Sequence, residues 1–180
     1  MRWLNAQARE TERTRQKGQL KKALRSNVER NLQLLTGEEP DEEPSPAEQA
    51  HEGLLPTMEK NLRLAKTHRE EGTPIPPSYI YFEYFNTELL DATAARKYEL
   101  GLGDGLSARL DEFHDRLANL NRLLLIRLER EYVMHRDQAE RMNQDTMIDY
   151  ELRRVASEAV TLVRGEGPGK GLIEELSAAD

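Results

Sequence analysis

Leu106, Leu110, Phe113, Leu117, Leu120 and Leu124 recur at intervals of 4, 3, 4, 3 and 4. This is a heptad seam nearly three repeats long, the pattern that lets one helix lie along another at a shallow angle. Continued in register, the seam places Arg127 and Glu131 inside, so the stripe is expected to shift to Leu128 and Tyr132, a stutter that locally unwinds a supercoil. Met147, Ile148, Leu152, Val155, Ala159 and Leu162 resume the apolar stripe, with a bend expected at 143–146. Unbroken from Ser107 to Val163, such a helix is roughly 85 Å long. That length outruns a compact core and implies a bend or an oligomeric partner.

Leu20, Leu24, Val28, Leu32 and Leu35 define an earlier helix stopping at Gly37. Upstream of Leu20 the stripe fades into polar residues, which predicts an arm with little to bury. Residues 38–46 read EEPDEEPSP, an acidic linker punctuated by proline. A second helical pattern uses Ala47, Ala50, Leu54, Leu55, Met58, Leu62 and Ala65, with a kink or fresh start at Pro56 and an end at Gly72. After the extended TPIPPS, the aromatic cluster Tyr79, Tyr81, Phe82, Tyr84 and Phe85 is expected to plug the core from a helix running to Tyr98, where GLGDG breaks it. The division is therefore a basic helix at 1–36, a linker at 37–46, a helical bundle at 47–164 and a flexible Gly-rich tail at 165–180. The fold class is all-α, a bundle with a long N-terminal helix and a long heptad-patterned C-terminal helix.

Composition supports this reading. With 33% charged and 37% hydrophobic residues and ten aromatics in 180 residues, the chain favours residues that propagate helices. Cysteine is absent, which removes disulfides and thiolate metal sites. No run approaches the roughly 20 apolar residues that span a bilayer. Charge changes the picture more: residues 1–30 carry nine Lys/Arg against three Glu, although the whole chain has a net charge of -7. Arg9, Arg13, Arg15, Lys17, Lys21, Lys22 and Arg25 form a basic helix for an anionic surface, and Trp3 and Leu4 suit a membrane interface. The location expected is cytoplasmic, peripheral to or anchored at the inner membrane.

Four patterns bear on chemistry. Arg109 with His114 and Arg130 with His135 each set four residues between an Arg and a His. This spacing resembles the short motif of HEPN-type ribonucleases, and the resemblance implies paired Arg and His acting on an RNA phosphodiester. The acidic body argues against an RNA groove, which needs a net basic surface. Asp111 with His114 and Glu48 with His51 repeat the three-residue step of carboxylate–histidine pairs in di-iron bundles, without the further inward Glu residues such sites require. Glu131 and His135 suit a surface contact, and His68 has no ligand spacing. GEGPGKG near the end has the wrong count for a phosphate loop and follows a helix. No metal, cofactor or small-molecule substrate is implied.

The order KALRSNVERNLQLL, GTPIPPSYIYFEYF, LDEFHDRLANLNRLL resembles that of poorly characterised bacterial proteins with one N-terminal membrane helix and a cytoplasmic helical domain. Glu29, Asn31, Leu32, Leu34 and Leu35 match the opening of that pattern, and Asn119 and Asn121 fall in its later repeat, over residues 5 to 130. The resemblance implies membrane anchoring and no known reaction; the membrane helix itself is absent from this sequence. Together these features predict a non-enzymatic binding or assembly module. Leu106, Leu110, Phe113, Leu117, Leu120 and Leu124 are its packing seam, for self-association or a helical partner, and the basic helix faces an anionic membrane. The alternatives are a HEPN-like ribonuclease and a nucleic-acid-binding arm.

Overall fold

The computed structural model describes residues 2–38, 52–81, 83–132, 138–165 and 170–178, with backbone alone for 2–6, 131–132 and 138–141. Seven helices and no strand occur among the described residues: α1 (Arg2–Thr36), α2 (Leu54–Glu71), α3 (Glu88–Thr93), α4 (Arg96–Glu99), α5 (Asp104–Tyr132), α6 (Gln138–Arg164) and α7 (Leu172–Ser177). The chain is an all-α helical bundle with a long N-terminal helix. Its contacts fall into two compact units, Met1–Arg30 with Asn86–Asp115 and Thr161–Asp180, and Asn31–Phe85 with Arg116–Val160. Helices α1, α5 and α6 contribute to both.

In the first unit, Leu20, Leu24 and Val28 of α1, Leu110 and Phe113 of α5, and Val163 of α6 are buried. The tail expected to be flexible ends instead in a docked helix. Leu172 and Leu176 of α7, four residues apart, are buried on one face. Six residues cannot hold a helix alone, so tertiary contact does it. Arg109 donates to the carbonyls of Leu162 (2.9 Å) and Lys170 (2.7 Å) and pairs with Glu175 at 2.7 Å, tying α5 to the end of α6 and to α7.

In the second unit α5 and α6 run antiparallel, as the Arg116–Glu158 pair at 3.3 Å and the Arg127–Asp149 pair at 3.4 Å show. Helix α2 lies antiparallel to α6, with Arg153 beside Glu59 and Arg69 beside Asn143. Leu110, Phe113, Leu117, Leu120 and Leu124 are all buried within the chain and Leu106 half-buried, so the heptad seam forms intramolecular core and is not available to a second protein. Two expectations about the long helix are corrected. The stripe from Ser107 to Val163 is divided between the two antiparallel helices α5 and α6 and does not form one rod, and the stutter to Leu128 does not occur: Arg127 is buried in the seam's own register while Leu128 is half-buried.

The aromatic segment is not helical either. Between Gly72 and Glu88 the described backbone is irregular, and side-chain amides replace the helical hydrogen bonds. Asn61 accepts from the Tyr79 amide (2.8 Å) and donates to the Tyr79 carbonyl (2.8 Å). Asn121 does the same for Phe85, at 2.8 and 2.9 Å. Pro74, Pro76 and Pro77 keep the approach extended. Phe82, Ala47 and Ala50 lie outside the described residues. Helix α2 accordingly starts at Leu54, with Pro56 in its first turn, where a missing amide costs nothing.

Gly53 precedes α2 where a Cβ would lie inside contact distance of the Gly37 nitrogen and the Thr36 carbonyl carbon, both backbone and unable to yield. Gly53→Ala is therefore expected to lower stability by about 2 kcal/mol, read as a reduced urea midpoint with unchanged m-value. An unchanged midpoint would show that the α1–α2 junction moves freely.

Candidate functional site

The basic helix is the first candidate. Arg9, Arg13, Arg15, Lys22 and Arg25 are exposed and Lys17 and Lys21 half-buried. Taking the helical rotation per residue, Arg15 and Lys22 lie opposite the buried Leu20, Leu24 and Val28, and Arg25 lies at the flank of that stripe. Two of the three stand beside a carboxylate, Arg15 with Glu12 at 3.0 Å and Arg25 with Glu29 at 2.7 Å, in exposed pairs that water screens. The hydrogen bond to Arg15 holds the Glu12 carboxyl below its ordinary pKa. Arg13 turns the other way and donates to the Glu99 carbonyl at 2.9 Å, and Lys21 to that of Ala178 at 3.2 Å. From Gln7 to Gln19 the only apolar side chain is Ala8, so this stretch has charge to offer and no stripe to bury.

The second candidate lies inside the other unit. Arg127, 2% exposed, reaches Asp149 (3.4 Å), Asp145 (3.6 Å) and the Ser78 hydroxyl (2.6 Å). Arg130 bonds Asp145 at 3.1 Å and also Gln144. Asn61 donates to Asp149 as well as to the Tyr79 carbonyl. Two guanidiniums and two carboxylates therefore balance in a largely dry cluster joining α2, the extended segment, α5 and α6. Burial raises the Asp149 carboxyl to about 6, against the opposing pull of Arg127 and Asn61. Chemically this is a lock: each charged group is held by another. Pattern reading missed Asn61, Asp145 and Asp149; the available signal was a polar residue at a core position, as with Asn61 between Met58 and Ala65.

Of the four Arg and His residues in the two spacings, Arg109, His114 and Arg130 are described, and each is engaged within its own unit. Arg109 is engaged by two carbonyls and Glu175, and His114 faces Asp91 at 2.8 Å and Asp115 at 3.5 Å. Arg130 belongs to the buried cluster of the other unit, and His135, like Glu48 and His51, lies outside the described residues. Asp111 turns from His114 toward the buried Lys97 ammonium and the Tyr98 hydroxyl (2.7 Å). Burial would raise its carboxyl, but the hydrogen bonds from Lys97 and Tyr98 and the nearby cations leave it below its ordinary value. Among the described residues no three His, Asp or Glu converge as a metal site, and no helix is long and apolar enough to cross a membrane. Comparison with protein families, curated proteins and solved structures gives no significant match.

Proposed function

We propose that this chain is a non-catalytic helical module that holds to an anionic membrane surface, the cytoplasmic leaflet, through the outward face of α1. The observation that carries the reading is the exposed face with Arg15 and Lys22 opposite the helix's buried stripe and Arg25 at its flank. Each cation near such a surface contributes about 1 kcal/mol, and the attraction is screened within a Debye length. With no apolar stripe between Gln7 and Gln19, binding there is adsorption, fully sensitive to salt.

Co-sedimentation with vesicles tests this. The chain is expected to bind phosphatidylserine-containing vesicles at low salt, ignore pure phosphatidylcholine, and dissociate at high salt. Arg15→Glu with Lys22→Glu is expected to weaken binding at least about tenfold at unchanged helix content. Tight salt-dependent binding to duplex DNA with no vesicle binding would replace this reading with the nucleic-acid arm.

A further inference from the structure

Across the outer faces of α2 and α6, within the second unit, lies a half-open trough of about 790 Å³. Leu62, Ala65, Leu123 and Ile148 line it, together with Met147 and Tyr150, which stay 71% and 56% exposed. An apolar trough of this size suits a small ligand, and a methionine wall adapts to an irregular one. A second hollow of about 510 Å³, lined by Pro74, Ile75 and Met142, meets the first at Arg69 and Asn143.

The charges at the rim select the ligand. Glu70 is matched by Lys66 at 3.8 Å, and Glu151 by Arg154 at 2.8 Å. Arg69 alone has no carboxylate among the described residues; its one contact is the neutral Asn143 amide oxygen at 3.4 Å. An apolar channel with one guanidinium at its mouth unmatched by any carboxylate among the described residues complements an apolar chain bearing a single negative charge. A planar carboxylate meets a guanidinium through two parallel hydrogen bonds.

We propose that this trough binds a long-chain carboxylate, its tail along Leu62, Met147 and Tyr150 and its head on Arg69. The site is independent of the membrane-facing helix: it is tested without vesicles, and either reading can fail alone.

The probe is the fluorescent fatty acid cis-parinaric acid, displaced by saturated carboxylates of increasing length. Saturable binding to one site is expected, with affinity rising about twofold per methylene, below the full burial value because the trough is half open. Arg69→Gln is expected to weaken the carboxylate about tenfold and leave a long-chain alcohol unaffected, and Met147→Asp to weaken both. Both positions are exposed, so the variants are expected to keep the wild-type unfolding midpoint. Absence of saturable binding, or equal affinity of Arg69→Gln and wild type for the acid, would overturn the proposal. So would a chain that self-associates through this face and excludes the probe.

Discussion

Arg127→Met is expected to remove about 3–5 kcal/mol of unfolding free energy, the loss that follows when one partner leaves a buried ion cluster. Methionine fills much of the volume of the arginine stem, so a cavity is not the main cost. The cost is electrostatic: Asp149 keeps only the Asn61 amide, and Asp145 keeps Arg130. The Ser78 hydroxyl also loses its donor, which loosens the extended segment where it enters the cluster. Arg130→Met is expected to cost less, because Arg130 is partly exposed and Arg127 still faces both carboxylates. Adding Asp149→Leu to Arg127→Met is expected to recover part of the loss, since the remaining Arg130–Asp145 pair is again balanced. Urea unfolding of the three variants decides it. A loss below about 1 kcal/mol for Arg127→Met would mean that water or protons compensate the stranded carboxylates.

The same cluster marks where the sequence was legible and where it was not. Leu110 to Leu124 announce themselves because a helix with a 4-3 apolar repeat has few other ways to bury it, and the structure buries all five. Arg127 reads as a break in that repeat, because its neutralising partners sit 18 and 22 residues further on, on another helix, and no local pattern joins them. The aromatic segment misleads for a related reason. Five aromatics in seven residues signal burial but not backbone conformation; two distant asparagines settle the backbone by capturing the amides and carbonyls of Tyr79 and Phe85. Helix α7 is too short for a period to show, and its two leucines gain meaning only beside α5, whose Arg109 holds Lys170 and Glu175. The positive charge of α1 was legible because it is local, but which of its cations face outward was not: Arg13 and Lys21 bond the carbonyls of Glu99 and Ala178, contacts that no local pattern shows. Arg69 was not legible, because its standing without a carboxylate among the described residues is a property of α2 and α6 together.

A carboxyl held at about 6 in the folded chain, against 3.8 for its ordinary value, makes stability depend on pH with a definite sign. Between these values the folded state binds a proton at Asp149 that the unfolded chain has released, so unfolding becomes easier as pH rises. The contribution is present in full below about pH 4, declines across pH 4–6 and is lost above, and a shift of this size corresponds to roughly 3 kcal/mol. Asp111, held below its ordinary value, acts oppositely, its contribution being lost as pH falls. The total profile is therefore a poor test, and the difference from Asp149→Asn is the informative quantity. Asparagine keeps the size and an acceptor for Arg127 but cannot titrate. Relative to Asp149→Asn, the wild type is expected to lose about 2–3 kcal/mol from pH 4 to pH 7.5, measured by urea unfolding at several pH values. Parallel profiles would show that Arg127 and Asn61 already hold Asp149 ionised throughout. The buried cluster would then have no titrating member in that range, and its balance of two guanidiniums and two carboxylates would hold at every pH of the measurement.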